Sequence, residues 1–175
     1  MDTRTFDFAI VLACFLVSLL AIGGYYYFHA RKVAKDEWSN LLSRLILLDR
    51  NKIEIVALEQ SGTDLDPARV LELIGGLDGL KALNANCDVL IDLACHCQRW
   101  YPEALLVAEQ LRINAREIKW HLTRLEGAAR MGNLGSAFAD YAQRVAAIYQ
   151  LMTQHLLALY EQTNLPELAE LQRVI

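Results

Sequence analysis

The chain has 175 residues, a formal net charge of −4 and a hydrophobic share of 54%. This acidic balance excludes the concentrated positive charge by which most nucleic-acid-binding proteins contact phosphates. Three prolines and nine glycines are too few for a turn-rich all-β protein, so the composition predicts helices.

An uncharged apolar segment runs from Phe8 to Phe28. At about 1.5 Å per residue, a helix of this length reaches roughly 30 Å, which is the thickness of a bilayer's hydrocarbon core. A cleaved signal peptide is the alternative, but it would have a basic leader and a shorter apolar run. Residues 1–7 instead hold two acids and one arginine. We therefore predict a short leader over residues 1–7 and an uncleaved transmembrane helix over residues 8–28.

The flanks of this segment predict its orientation. Three basic residues follow it, whereas Arg4 alone precedes it. The positive-inside rule then places the N-terminus outside and the rest of the chain in the cytoplasm. Aromatic rings prefer the headgroup level, and a run of three tyrosines ends the segment. The residues predicted to lie at this membrane interface are Tyr25, Tyr26, Tyr27, Arg31, Lys32 and Lys35.

Four helices are predicted over residues 30–164. They are helix A, residues 30–60; helix B, residues 67–100; helix C, residues 102–131; and helix D, which follows a turn at residues 132–136 and runs to residue 163. Helix A appears in the sequence as a direct continuation of the membrane helix. Asp66 and Pro67 form a helix start, with an N-cap acid before a proline at the first helical position. Gly75, Gly76 and Gly79 predict a break or kink within helix B.

Apolar residues recur at alternating spacings of three and four, which is typical of helices that pack side by side. The predicted core positions are Leu41, Leu42, Leu45, Leu48, Ile55 and Leu58 in helix A; Leu83, Cys87, Leu90, Ala94, Cys97 and Tyr101 in helix B; Ala104, Ala108, Leu111, Ala115, Ile118, Leu122, Leu125 and Ala129 in helix C; and Phe138, Tyr141, Val145, Ile148, Met152, His155 and Leu159 in helix D. Short turns make neighbouring helices antiparallel. The predicted fold is all-α, with a single N-terminal transmembrane helix followed by an antiparallel, up-down four-helix bundle.

This topology returns the turn between helices B and C to the membrane end, together with the short amphipathic tail, residues 165–175. Trp100 and Tyr101 in that turn are predicted interface residues, and ordinary aromatic packing at the end of the bundle is the alternative. The tail has apolar residues at near-helical spacing. It can cap the bundle, contact the membrane surface or dock into a partner through Leu165, Leu168, Leu171 and Ile175.

The sequence predicts no catalytic residues, no metal ligands and no cofactor. Cys95, His96 and Cys97 would point in diverging directions on a helix, and no second cysteine pair completes a zinc site. Cys87 and Cys97 fall on core positions, where cysteine behaves as a small hydrophobe. With Cys14 in the membrane segment, an odd number of cysteines is left outside it, and this favours reduced thiols in the cytoplasm.

Without a chemical site, the sequence favours a non-catalytic, membrane-anchored interaction or scaffold protein, an accessory subunit of a larger membrane complex. The predicted partners are membrane lipid and other protein subunits, or further copies of the chain paired through heptad positions; no nucleic acid and no small-molecule substrate is predicted. One alternative is a single-span sensory or signal-transducing module. A weaker alternative is a haem-like carrier, which requires His96 and His155 at one level of the bundle.

Overall fold

The computed structural model describes residues 12–25, 38–58 and 66–175. Every regular element in these ranges is a helix, so the all-α prediction is confirmed for this part of the chain. The helices are α1, residues 12–25; α2, Trp38–Ser43; α3, Arg50–Leu58; α4, Pro67–Ile74; α5, Gly76–Cys97; α6, Ala104–Arg130; α7, Ser136–Gln162; and α8, Leu168–Val174.

The long helices α5, α6 and α7 pack side by side. Lys119 Nζ lies 2.7 Å from Asp88 Oδ1, and Arg112 lies against Cys95, so residue numbers rise along α5 as they fall along α6. These two helices are therefore antiparallel. The short turn at residues 98–103 enforces this arrangement, as the sequence predicts.

Helix α7 reverses direction again. Arg144 Nε lies 2.7 Å from Glu117 Oε1, and Tyr141, earlier in α7, contacts Arg124, later in α6, so these two helices are antiparallel. Because α5 and α7 are both antiparallel to α6, they run parallel to each other, and Asn86 of α5 bonds to the Tyr149 hydroxyl of α7. The fourth position beside α7 is occupied by the short helix α3, not by one long helix. The predicted up-down arrangement is thus observed for three long helices, and helix A differs.

Helix A is interrupted by a non-helical loop at residues 44–49. Both backbone groups of Ile46 bond to one side chain. Asn86 Oδ1 accepts from Ile46 N at 2.9 Å, and Asn86 Nδ2 donates to Ile46 O at 2.8 Å. Asp49 then starts α3, because its carboxylate accepts from the Lys52 backbone N–H. The prediction of a continuous helix over residues 30–60 is therefore wrong.

The loop also changes which residues of α3 face the core. Ile55 and Leu58, predicted as core residues, are exposed, whereas Ile53 and Val56 are buried. Leu41, in α2 before the loop, and Leu45, within the loop, are buried as predicted. A helical period cannot be carried across six residues that are not helical.

The predicted core positions hold well in α5 and α6. All of them are buried except Tyr101 and Ala129, which are half-buried. In α7 the buried face is rotated. Tyr141 and Ile148 are half-buried and His155 is exposed, whereas Ala142, Ala146, Tyr149, Leu156 and Tyr160 are buried. Helix α7 contacts α3, α4, α5, α6 and α8, so its buried face is wider than one heptad pattern describes.

The predicted break in helix B is confirmed. Asp66 caps α4 by accepting from Ala68 N, and Pro67 is the first helical residue. Gly75 ends α4 with a φ of 96°, a left-handed conformation that favours glycine. Gly79 lies in the first turn of α5, and a Cβ at this position would lie 1.9 Å from the Ile74 carbonyl oxygen. Glycine at position 79 thus permits α4 and α5 to meet closely.

Among the residues that the structure describes, no helix has the length and hydropathy needed to cross a membrane. The predicted span from Phe8 to Phe28 lies partly outside these residues, since only residues 12–25 of it are described.

We predict that Asn86→Ala destabilises the fold by about 2–4 kcal/mol, since it removes three hydrogen bonds that each contribute about 0.5–1.5 kcal/mol. Asn84→Ala is the matched control, because Asn84 is exposed on the same helix. Urea unfolding monitored by circular dichroism measures both variants. Equal midpoints for the two variants would show that the loop does not depend on Asn86.

Candidate interaction surfaces

Helix α1 exposes apolar side chains on all sides. Residues 12–25 include no charged side chain. Ser18, a polar residue in the middle of the helix, satisfies its hydroxyl internally by donating to the Cys14 carbonyl at 2.8 Å. The exposed large hydrophobic residues of α1 are Leu12, Phe15, Leu16, Val17, Leu19, Leu20, Ile22 and Tyr25. A helix that is apolar all round is typical of burial in a protein core or a membrane.

A second surface is the aromatic end, which we define by Trp38, His96, Trp100 and Tyr160. The Trp38 ring lies 5.4 Å from the Tyr160 ring and 6.1 Å from the His96 ring, between centroids. His96 in turn contacts Trp100 edge-on at 5.3 Å. These contacts bring together the start of α2 and the ends of α5 and α7. The predicted convergence of these segments at one end of the bundle is therefore observed.

The tail also packs at the aromatic end. Trp38 Nε1 donates to Glu170 Oε2 at 2.7 Å, which ties α8 to α2. Leu171 is fully buried, and the other three predicted docking residues pack half-buried against the core: Leu165, Leu168 and Ile175. Of the three alternatives for the tail, the structure has the capping arrangement.

The predicted interface residues divide into three groups. Tyr25 ends the described part of α1 and is exposed. Trp100 is 52% exposed at the aromatic end, and Tyr101 is half-buried there, with its hydroxyl donating to Glu103. Five of the predicted residues lie outside the described residues: Tyr26, Tyr27, Arg31, Lys32 and Lys35.

Three cysteine thiols lie in the core of the bundle. Burial raises the pKa of Cys87 and Cys97 to about 12 and that of Cys95 to about 11. A thiol reacts and ligates metals as the thiolate, so these side chains are inert near neutral pH. Among residues 12–25, 38–58 and 66–175, no three His, Cys, Asp or Glu side chains converge as metal ligands would.

The histidines of the described residues do not share one site. His96 is buried at the aromatic end, whereas His155 is exposed on α7. His121 is buried between Trp120 and Tyr141, and desolvation lowers its pKa, followed by the repulsion of Arg144. A haem-like carrier requires His96 and His155 together at one level of the bundle. One of these side chains is buried and the other is exposed, so they do not face a common site.

A charged groove lies between α5 and α6, where the sequence analysis identified no feature. Arg44 NH2 lies 2.9 Å from Asp92 Oδ2, and Lys119 pairs with Asp88. Asp92 is almost completely buried, although its sequence position resembles a solvated helix face. Since acids of the groove pair with its bases, this arrangement holds the 44–49 loop against α5 and does not resemble an anion site.

A cavity of about 150 Å³ lies between the 44–49 loop, α3, α7 and the C-terminal residues. Its apolar lining includes Ile53, Leu157 and Ile175, and Arg50 and Glu54 add charged groups. Sites for small molecules occupy roughly 300–1,000 Å³. This cavity is therefore small for a ligand site.

Helix α6 carries an apolar strip, which we define by Leu106, Ile113 and Trp120 and which the sequence patterns above do not predict. These residues are 71%, 60% and 54% exposed. They are spaced by seven residues, so they share one face of the helix. A search for exposed apolar residues at this period would have identified the strip from the sequence.

Comparisons with protein-family models, with curated proteins and with solved structures found no match to the chain.

We predict that the folded protein loses stability as pH rises above about 9. The pKa of each buried thiol is higher in the folded than in the unfolded chain, so the folded state retains protons that the unfolded state releases. The stabilisation is complete well below pH 9 and decreases as the pH rises towards the folded pKa values. The loss amounts to about 1 kcal/mol per thiol by pH 10.

Urea unfolding at pH 8 and pH 10 measures this loss. The control is the triple variant Cys87→Ala, Cys95→Ala and Cys97→Ala, whose midpoint should change less between the two pH values. A triple variant with the same pH dependence as the unmodified protein would contradict the assignment to the thiols.

Proposed function

We propose that this protein is a non-catalytic, membrane-anchored interaction protein, an accessory or scaffold subunit of a larger membrane complex. Residues 8–28 form its single membrane helix, with the N-terminus outside and the helical domain in the cytoplasm. The observation that carries the proposal is α1, an uncharged helix whose apolar side chains are exposed on every side.

The free energy of exposed apolar surface supports the anchor. Each Å² of apolar surface left in water costs about 25 cal/mol, so a helix covered with such side chains favours a bilayer or a protein partner. The internal hydrogen bond of Ser18 suits a lipid environment, where no water is available to the hydroxyl.

The interaction role is supported by what the domain presents to solvent. Its thiols are buried, and several of its acids pair with neighbouring bases. Its exposed groups include tryptophans at two sites, Trp100 at the aromatic end and Trp120 on α6. Tryptophan is enriched where proteins bind one another, because it buries a large area with little loss of side-chain entropy.

The sensory alternative depends on a helix that runs rigidly from the membrane into the domain. The 44–49 loop interrupts that helix, and no other observation favours a sensor, so we do not propose this function.

We predict that the double variant Leu16→Lys and Leu20→Lys moves from the membrane to the soluble fraction, because lysine is costly at the centre of a bilayer. Alkaline washing of isolated membranes, followed by immunoblotting, measures the distribution. The matched control is Ile55→Lys and Leu58→Lys, two exposed apolar residues of α3, which should stay in the membrane. The anchor would be excluded if the unmodified protein itself were released by the wash.

We also predict that a photocrosslinking residue in place of Trp100 captures other membrane proteins in native membranes. Mass spectrometry of the crosslinked products identifies them. The same residue in place of Asn84, which is exposed elsewhere on α5, is the control and should capture fewer. Recovery of the uncrosslinked chain alone at Trp100 would argue against a subunit role.

A further inference from the structure

The apolar strip of Leu106, Ile113 and Trp120 places one large apolar residue on the same helix face every two turns. It spans about 21 Å, since its ends are fourteen residues apart along a helix. Single exposed hydrophobic residues need no explanation, but three aligned on the outer face of α6 are more than scattered exposure. The opposite face of α6 holds the core residues Leu111 and Ile118, so the strip points away from the bundle.

Trp120 is held in place before any partner binds. The Arg124 guanidinium carbon lies 3.6 Å from the centre of its ring, and the His121 ring contacts it edge-on at 4.8 Å. Arg124 is itself fixed, because its guanidinium donates to the Tyr141 hydroxyl at 3.0 Å. A side chain that is already ordered loses little entropy on binding, which is typical of residues that dominate interface energies.

The strip has charged edges arranged almost symmetrically about Ile113. On one edge, Glu109 lies four residues before Ile113 and Arg116 lies three residues after it, and both are exposed. On the other edge, Glu103 lies near one end of the strip and Arg124 near the other. Glu109 and Glu103 thus each have a base at nearly the same distance on the opposite side of Ile113, whereas Glu117, also on the second edge, pairs within the chain with α7.

We propose that α6 pairs with α6 of a second copy of this chain, antiparallel, with the two-fold axis at Ile113. Leu106 of each copy packs on Trp120 of the other, and the two Ile113 side chains meet at the centre. Glu109 of each copy meets Arg116 of the other along one edge. In a two-fold interface every contact occurs twice, so a self-complementary face is what such an interface requires.

The symmetry of the charges favours a second copy over an unrelated partner. A different protein would need complementary groups on its own surface, and nothing would require acids and bases of α6 to balance about one residue. A parallel pair is disfavoured, because it places the two Trp120 side chains at one level with their Arg124 guanidinium groups side by side. Like charges at that distance repel.

Cysteine crosslinking of the full chain in detergent tests the pairing. The background is Cys14→Ser, which removes the exposed thiol of the described residues and leaves the buried thiols in place. Under mild oxidation, I113C should form a disulfide-linked dimer. A mixture of Q110C and E117C chains should crosslink, because these positions share an edge and face each other only in the antiparallel pair. L106C alone should not, and N84C, exposed on α5, is the negative control.

Charge reversal supplies an independent measurement. E109R and R116E should each lower the crosslinked fraction of I113C several-fold, and the double variant should restore it. Circular dichroism confirms that the variants keep their helices. Absence of the I113C dimer, self-crosslinking of L106C in preference to the mixed pair, or failure of the double variant to recover would overturn the proposal. None of these readouts depends on membrane anchoring, so they are separable from the proposed function.

Discussion

The carboxamide of Asn86 is the interaction on which the rest of the domain depends. It bonds both backbone groups of Ile46 and also donates to the Tyr149 hydroxyl at 3.2 Å. One buried side chain therefore supplies the hydrogen bonds that a non-helical loop cannot make for itself. By fixing that loop it sets where α2 ends and α3 begins, and it joins α5 to α7.

The sequence predicts those parts of the fold that depend on local periodicity, and not those that depend on distant contacts such as that of Asn86. Helix α6 was predicted almost completely, because it buries one stripe between two long neighbours and a single period describes it. Helix α7 contacts five other helices, so Tyr149 and Tyr160 are buried although they lie outside the predicted heptad. The interruption of helix A depends on a side chain forty residues away, and no local periodicity contains that information. Only Asp49, a good N-cap before α3, indicated it locally.

The candidate surfaces also differ in how far the sequence predicts them. The aromatic end followed from topology alone, because short turns decide which helix ends meet. The burial of Cys87 and Cys97 followed from their predicted core positions, whereas the burial of Cys95 was not predicted. The strip on α6 was not predicted. The core faces were identified from apolar residues spaced by three and four, whereas the residues of the strip are spaced by seven. The burial of Asp92 was not predicted, because its partner Arg44 lies in the 44–49 loop, a segment that the sequence predicts as helix.

The hydrogen bond between Trp38 and Glu170 joins residues 132 positions apart in the chain. Contacts between α5, α6 and α7 link neighbouring segments, and such local contacts form early because little chain entropy is lost in closing them. The closure of α2 and α8 over the aromatic end is therefore expected to be the last event of folding. It is also expected to be the first to reverse, so this end of the domain opens while the three long helices remain assembled.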